Sequence, residues 1–432
     1  MTARQRVTTR AGLIAALAVG FAQSGCVVQT DEGRDDGDAV RIGALLPYTG
    51  ELAASGANIE HAILWAAEQV NDAGGVAGRP VRIIARDSNS SVDRGMQVAR
   101  SLIEDEKVVA IIGPEYEDLA REMLPLVTEH DVLVVSGGVT SPRLTTLDTE
   151  EYFFRTTPTA VAFGSVLADA AYADGVRRLA ILYVSDEYGK GFASAVNGQF
   201  ERFEGTTVER IPFAPGASSY RELVSEASEF DPDGIALVAY PRSGATIVSD
   251  WAALGKEARW YFSHTLRSDE FVKNVPPGTI DGMIGTSHSL PPGDATVFRS
   301  QFERRWPGDT PLTPAFFNYD ALAVLLLAIE EAAVENQTTG VPSASQIREH
   351  IQTVSSNSRG KVVSWHDLDY GLHLLREKDV PAYGGIDYRG ASGFVDLNEH
   401  GDVVAGLVQI WSVRDGRIVG GGTAAPVPLS GE

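Results

Sequence analysis

The sequence predicts an α/β protein built from two lobes, each with a parallel sheet between layers of helices. Short, continuously apolar segments alternate with longer amphipathic segments along most of the chain. Strands of that composition are buried on both faces, as in parallel sheets. The alternation starts again after residue 156, and 432 residues are more than one hydrophobic core usually organises, so we expect two lobes.

The first lobe is predicted to begin with the apolar segment VRIGALL at residues 40–46, which we interpret as a buried strand. A helix follows from about Gly56, because apolar residues recur at helical spacing up to Val70, and Gly74-Gly75 ends it. The unit of strand and helix then repeats. Strands are expected at 40–46, 81–85, 108–112 and 132–135, and helices at 56–70, 92–106 and 119–129.

The second lobe is predicted to follow the segment at 152–155. Its strands are expected at 179–184, 208–213, 235–239, 260–262 and 280–286, and its helices at 160–173, 192–203, 220–230 and 245–254. Three further helices are expected at 295–305, 316–333 and 345–354. Residues 393–419 alternate between apolar and polar side chains, which predicts a hairpin with its turn at 399–402.

The N-terminus has the features of a secretory signal. Three arginines in the first ten residues precede an apolar segment at 11–22, which is too short to span a membrane. Ser24 and Gly25 then precede Cys26, the only cysteine of the chain. This resembles a bacterial lipobox, whose cysteine is lipidated and becomes the mature N-terminus, except that Gln23 replaces the usual aliphatic residue. The alternative is an ordinary cleaved signal with an incidental cysteine.

Two further segments are expected to lie outside the folded lobes. Residues 27–38 form an acidic tether after the signal peptide and lipobox at 1–26, and the Gly- and Pro-rich residues 420–432 form a flexible tail. The net charge of −22 argues against a nucleic-acid partner, because phosphates require a basic surface. The acidic charge also gives no support to electrostatic docking on anionic lipid. The expected membrane contact is therefore the lipid on Cys26.

The loops after the predicted strands are the expected ligand-binding region, because open α/β sheets bind ligands outside the carboxyl ends of their strands. These loops are rich in Gly, Ser, Thr and Tyr, which offer amides, hydroxyls and rings to a small polar molecule. The same residue types also build ordinary loops and helix caps. The loops are 47–56, 87–91, 113–118 and 136–141 in the first lobe, and 185–189, 214–219, 240–244 and 263–268 in the second.

Seven segments, in this order, resemble the branched-chain amino-acid (Leu/Ile/Val-binding) class of type I periplasmic solute-binding proteins, which deliver solutes to ABC transporters. The resemblance covers nearly the whole folded chain and implies two Rossmann-like lobes joined by a three-crossover hinge, near 156–158, 281–287 and 385–392. The segments are IGALLPYTGELAASG at 42–56, NDAGGVAGRP at 71–80, IIGP at 111–114, VSGGVTSPRLT at 135–145, YFFRTT at 152–157, DEYGKG at 186–191 and FNYDA at 317–321.

The resemblance also implies a set of ligand-binding residues. Hydroxyls and backbone amides of the first lobe would hold a ligand carboxylate, and tyrosines of the second lobe would close over the ligand. The candidates are Ser55, Glu115, Tyr116, Glu117, Gly138, Val139, Thr140, Tyr188, Tyr240, Thr265 and Arg267.

The charges of this set depart from the family pattern. Amino-acid binders usually have small hydroxyl residues where this chain has the acidic loop EYED at 115–118. They also tend to carry an acid near Thr265, whereas this loop continues to Arg267. We hypothesise that the ligand is not a plain aliphatic amino acid. The alternative is that some of these charges point to solvent, as most charged side chains do.

Together these observations predict an exported, lipid-anchored, monomeric binding protein of the periplasm or cell surface. It would capture an amino acid or a related small solute by hinge closure and deliver it to an ABC permease. Lobe 1 is expected to comprise residues 39–156 plus 288–385, and lobe 2 residues 157–287 plus 386–419. A ligand sensor for a receptor is the alternative within the same fold.

An exported Rossmann-like enzyme is the alternative from another class of proteins. It would need a nucleophile, metal or cofactor fingerprint, and the sequence contains no such motif. We therefore expect no catalysis, no cofactor and no metal. The one metal-like pattern, HDLDYGLH at 366–373, is interpreted as a solvated helix face, because its leucines have helical spacing.

Overall fold

The computed structural model describes residues 38–147, 151–337, 340–377 and 384–428. The predicted signal peptide, Cys26 and all of the predicted tether except Asp38 lie outside the described residues. In the described part, the chain forms two large sheets and one small sheet. No described helix has both the length and the hydropathy that a membrane span requires.

The first sheet has five parallel strands in the order β2-β1-β3-β4-β5. Its strands are buried on both faces, as the continuously apolar segments predicted. The strands are β1 Val40–Leu46, β2 Val81–Asp87, β3 Ala110–Ile112, β4 Leu133–Ser136 and β5 Phe153–Arg155. The helices between and after them are α1 Ala53–Asp72, α2 Val92–Glu104, α3 Glu117–Glu129 and α4 Arg143–Leu147.

The second sheet has seven strands in the order β15-β14-β10-β9-β8-β6-β7. The strands from β7 to β10 run parallel, and β14 and β15 are antiparallel. The strands are β6 Arg178–Val184, β7 Thr207–Phe213, β8 Gly234–Val238, β9 Trp260–Phe262, β10 Ile284–His288, β14 Ala405–Arg414 and β15 Arg417–Pro428. The helices are α5 Ala160–Ala173, α6 Glu187–Phe200, α7 Arg221–Glu229, α8 Pro241–Ala253 and α9 Asp269–Asn274.

The first lobe is completed by four helices and a small third sheet from the C-terminal half of the chain. The third sheet consists of β11 Lys361–Ser364, β12 Ile386–Gly390 and β13 Gly393–Phe394. The helices are α10 Pro292–Arg305, α11 Thr313–Glu335, α12 Ala344–Ser355 and α13 Leu368–Arg376. Helix α11 is apolar on all sides and is buried along nearly its whole length, as expected of a helix at the centre of a lobe.

Each lobe has its own hydrophobic core, and the six tryptophans divide equally between them. Trp65, Trp306 and Trp365 belong to the first core or pack against it. The second core contains the remaining tryptophans, Trp251, Trp260 and Trp411. The two-lobed α/β architecture predicted from the sequence is thus confirmed.

The chain crosses between the lobes three times, at 156–159, 289–291 and 404, where its residues pass from one core or sheet to the other. The first crossing agrees with the expected hinge segment. The other two predictions, 281–287 and 385–392, were wrong. Strand β10 lies inside the second sheet, and β12 pairs with β11. Both segments therefore belong to sheets rather than to connections.

The assignment of residues 386–404 to lobe 2 is corrected by the same packing. Ile386 and Tyr388 are fully buried in the first core, as is Val395. Short apolar strands have the same pattern in either lobe, so the sequence did not distinguish them. The chain enters the second sheet only with β14 at Ala405.

The predicted tail and hairpin at the C-terminus are also corrected. Residues 420–428 belong to β15, which pairs with β14 from Ala405 to Arg414, so the hairpin turn lies at Asp415-Gly416. The hairpin expected within 393–419, with its turn at 399–402, is reduced at that turn to an isolated bridge between Leu397 and Val403. A neighbouring strand compensates for the low strand propensity of this glycine-rich segment.

The HDLDYGLH segment forms α13 with one apolar face, as predicted. Leu368, Leu372 and Leu375 are buried in the first core. Asp369 and His373 are exposed on the opposite face.

A buried ion pair connects the first crossing to the third. Arg155 is fully buried, and its Nε donates to Asp402 Oδ1 at 2.5 Å. Its two terminal nitrogens donate to the carbonyl of Ser141 and to the hydroxyl of Thr145, both at 2.6 Å. The Arg155 guanidinium therefore joins the segments that precede the first and third crossings to the loop after β4.

Asp320 of α11 organises the segment that precedes the third crossing. It is fully buried and accepts hydrogen bonds from the backbone N–H groups of Ala391 and Ser392 at 2.7 and 2.8 Å. The hydroxyls of Tyr388 and Ser392 also donate to it, at 2.8 and 2.5 Å. These four bonds attach residues 388–392 to the central helix.

We expect Asp320→Asn to destabilise the protein by about 1–3 kcal/mol, because the new amide would leave a buried backbone N–H without an acceptor. Urea unfolding followed by circular dichroism measures this change. Asp369→Asn, on the exposed face of α13, is the matched control and should leave the midpoint unchanged. Equal midpoints for the two variants would contradict the role given to Asp320.

Candidate ligand-binding cleft

The carboxyl ends of the two parallel sheets face each other across a cleft, and the loops that follow the strands meet there. Leu52, after β1, packs against the second core, and Tyr116, after β3, packs against both cores. A Cβ at Gly191 of α6 would lie 3.0 Å from Pro142 in the loop after β4. The lobes are therefore in contact across the cleft.

Two carboxyl groups of the first lobe lie buried in this cleft. Glu115 follows β3, and its Oε1 accepts a hydrogen bond of 3.1 Å from Asn318 Nδ2 of α11. Glu117 begins α3, and its Oε1 accepts from the backbone N–H and the hydroxyl of Thr140 at 3.1 and 3.2 Å. The residues are only 7% and 4% exposed, so water can screen little of their charge.

A third carboxyl group comes from the second lobe. Asp186 caps the N-terminus of α6, where its Oδ1 accepts the N–H of Gly189 at 2.9 Å. The hydroxyl of Tyr240 donates to Oδ2 at 2.8 Å. In the described ranges, Glu115, Glu117 and Asp186 form no salt bridge with an arginine or lysine. Lys190 acts on Asp186 only as a more distant charge.

Burial makes all three groups weaker acids. It raises the pKa of Glu115 to about 7, against the opposing effect of the Asn318 hydrogen bond. Burial and the nearby Asp186 raise the pKa of Glu117 to about 8. Burial also raises the pKa of Asp186. Removing a carboxylate from water disfavours its charged form, so Glu115 and Glu117 bind protons near neutral pH.

Three tyrosine rings enclose the acidic groups. Tyr188 and Tyr240 of the second lobe have ring centroids 5.6 Å apart, and Tyr116 of the first lobe lies 6.5 Å from Tyr240. The Tyr188 hydroxyl and Thr265 Oγ1 are 2.8 Å apart, and Thr265 donates to the carbonyl of Ala239 at 2.7 Å. The tyrosines therefore line the contact between the lobes.

Two histidines extend this aromatic lining toward the hinge, and sequence reasoning missed both. The His264 ring lies 5.4 Å from Tyr188, and the His288 ring lies 4.7 Å from Phe317 of α11. Burial lowers the pKa of His264 to about 3 and lowers that of His288, so both are neutral at pH 7. Thr157, at the first crossing, is 2.9 Å from His288 Nε2. A single histidine near the end of a strand has no sequence pattern that marks it as part of a binding site.

The other predicted site residues have different surroundings. Gly138 lies against Glu115, since a Cβ there would be 2.0 Å from Glu115 Oε2. The side chain of Val139 is fully buried in the first core. The Ser55 hydroxyl donates to the carbonyl of Leu52 at 2.9 Å, within its own helical turn. Arg267 lies near His288 and Arg299, and its Nε has no hydrogen-bond partner in the described structure.

Besides Arg267 Nε, the cleft loops and α11 contain buried polar atoms with no hydrogen-bond partner among the described residues. They include Glu51 Oε2 in the loop after β1, Ser141 Oγ in the loop after β4, His264 Nδ1 after β9 and Asn318 Oδ1 of α11. An unsatisfied buried polar group costs about 1–3 kcal/mol, so each can gain from a ligand or a water molecule. Asn318 lies in the FNYDA segment, but sequence reasoning gave it no role.

The described structure contains one group of side chains that could hold a metal ion, and it belongs to the first lobe. The ligand atoms of Glu331, Glu335 and His350 lie within 4.8 Å of one another. Glu331 already accepts hydrogen bonds from Thr353 and His350. Because these bonds satisfy Glu331, the group has a structural explanation that needs no ion.

Comparison with known proteins gives the family. A family profile described as periplasmic binding protein matches residues 39–365. The chemotactic signal transduction system substrate-binding protein BasB of Halobacterium salinarum is 26% identical over 382 residues, which are 86% of each chain. An amino acid binding protein of Pseudomonas aeruginosa is 22% identical over 324 residues, covering 73% of this chain and 84% of its own.

Solved structures show the same fold. The leucine binding protein LivK of Thermotoga maritima superposes with a TM-score of 0.73 at 23% identity, covering 89% of this chain and 98% of its own. An ABC-transporter solute binding protein from R. palustris in complex with benzoate gives a TM-score of 0.70 at 18% identity, covering 90% and 97%. The family consists of solute-binding proteins, and its name implies export. The chain belongs to the periplasmic binding protein family.

Proposed function

We propose that this protein captures a small polar solute by closing its two lobes and delivers it to an ABC importer. The observation that carries the proposal is the set of buried polar atoms without partners at Ser141, His264 and Asn318. They come from both lobes and border the cleft. A solute enclosed there would supply the missing hydrogen bonds and be recognised by them.

Export and lipid attachment belong to the same proposal. Residues 1–26 would direct secretion, and a lipid on Cys26 would hold a monomeric binding protein at the periplasmic or outer face of a bacterial membrane. A sensor function is the second candidate, because the relative BasB, which matches 86% of this chain, is named as part of a chemotactic signal transduction system. Hinge closure would serve either function, since only the closed form presents both lobes to a partner.

The same cleft supports the hypothesis that the solute is not a plain aliphatic amino acid. The resemblance implied that Gly138 and Thr140 hold a ligand carboxylate. Here Glu115 lies against Gly138, and Glu117 accepts both hydrogen bonds of Thr140. The protein's own groups thus use the donors that a ligand carboxylate would need, because Glu117 accepts from Thr140, the Ser136 hydroxyl accepts from the Gly138 N–H, and Glu115 occupies the space beside Gly138.

A thermal-shift screen of amines, amides, amino acids and small organic acids tests solute capture. A ligand that binds only the folded state stabilises it by about 2.7 kcal/mol at about 100 times its Kd, so at least one class should raise the Tm. Asn318→Ala should reduce that rise, whereas Asn336→Ala, at the end of the same helix, should not. Tight binding of leucine or valine in calorimetry would contradict the hypothesis about the ligand.

An ion pair between the lobes gives a second prediction. Arg143 Nη1 of α4 lies 3.1 Å from Glu187 Oε1 of α6, and the Arg143 side chain is 58% exposed. Exposed pairs contribute about 0.2–1 kcal/mol, so Arg143→Gln should shift the lobes toward the open form by about 1.5- to 5-fold.

Spin labels on exposed sites of the two lobes, in a background without Cys26, measure this shift as a change in the interlobe distance distribution. Arg121→Gln is the control, because Arg121 pairs only with acids of its own helix in the described structure. Salt at about 1 M should remove the difference between wild type and Arg143→Gln. An unchanged distribution at low salt would show that the pair does not hold the lobes together.

A further inference from the structure

We infer that the solute is an organic cation, whose amine or related group is held between Glu115 and Glu117 of the first lobe and Asp186 of the second. This inference rests on the proposed function and names the chemical class of its solute. It follows from the charges, the hydrogen-bonding capacity and the aromatic lining of the cleft.

The charge of the cleft favours a cationic ligand. Buried acids are normally paired with a cation, because isolating a charge from water is costly. Glu117 and Asp186 come from opposite lobes, the charge of Asp186 raises the proton affinity of Glu117, and no arginine or lysine in the described structure forms a salt bridge with either of them. A cationic ligand would supply the missing counter-charge to both lobes at once and would therefore favour closure.

The hydrogen-bonding capacity of the cleft also favours a cationic ligand, independently of charge. Asn318 is fully buried and touches Glu115, and its amide oxygen has no partner among the described residues. An amide oxygen accepts hydrogen bonds, so its natural complement is an N–H group of the ligand. The two donors of Thr140 are already used by Glu117, so the described loop offers this part of the ligand acceptors rather than donors.

The aromatic lining of the cleft also favours a cation. The ring centroids of Tyr116 and Tyr188 lie 6.5 and 5.6 Å from that of Tyr240 in tilted pairs, and the Tyr240 hydroxyl donates to Asp186. Aromatic faces attract cations, most strongly where water is excluded. Arg267, whose Nε has no hydrogen-bond partner in the described structure, lies near His288 and Arg299.

Proton release follows from this inference. Burial places the pKa values of Glu115 and Glu117 at about 7 and about 8, so part of each carboxyl population carries a proton at neutral pH. A cation favours the deprotonated forms, so binding should release protons and the affinity should rise with pH through this range. The titratable groups that face the three acids from adjoining elements are Tyr116, Asp118, Tyr188, Lys190 and Tyr240.

Isothermal titration calorimetry on the full-length mature chain tests the inference with 1,4-diaminobutane, agmatine and choline as cations and with leucine and benzoate as comparisons. We expect at least one cation to bind, with an affinity that rises at least about tenfold between about pH 6 and pH 8.5. Titration in buffers of different ionisation enthalpy should show that binding releases protons. Glu117→Gln should weaken binding at least about tenfold, whereas Glu122→Gln, exposed on the same helix, should not.

Asp186→Asn is the second variant, because asparagine still caps a helix and the folded structure should persist. It should also weaken cation binding. If leucine or benzoate binds instead, with an affinity that falls as the pH rises, the cationic class is overturned and solute capture stands. If no compound of the broad thermal-shift screen binds, the proposed function itself is overturned.

Discussion

The buried ion pair of Arg155 and Asp402 is the interaction on which the arrangement of the lobes depends. It joins the strand before the first crossing to the turn before the third, and the same guanidinium holds the Ser141 carbonyl of the cleft loop. Removing one partner of a buried pair leaves an uncompensated charge and costs about 3–5 kcal/mol. Two of the segments that lead into the hinge and one wall of the cleft therefore share a single anchor in the first lobe.

The cleft differs from the hinge, because Glu115, Glu117 and Asp186 form no salt bridge with an arginine or lysine in the described structure. Arg155 has an acid and two neutral acceptors, whereas Glu117 accepts from the N–H and hydroxyl of Thr140, forms no salt bridge in the described structure and has Asp186 nearby. Desolvation is tolerated at the hinge because the pair is complete. In the cleft, desolvation raises the proton affinity of the acids instead, so bound protons remove part of the cost of burying their charge.

The sequence was sufficient to predict the architecture, but it predicted less of the cleft. Continuous apolar strands and helical periodicity predicted both parallel sheets, because these patterns are local. The place of β12 depends on Tyr388 reaching Asp320, and β15 depends on pairing with β14, so neither could be read from its own residues. His264 and Asn318 escaped prediction for the same reason, since their roles arise from distant segments meeting at the strand ends.

The distribution of tryptophans has an optical consequence. Three belong to each core, and no described ring contact joins any of them to Tyr116, Tyr188 or Tyr240. Intrinsic tryptophan emission should therefore report the integrity of each lobe and remain nearly silent when the cleft fills. The ultraviolet absorption of the tyrosines is the native chromophore signal that follows closure.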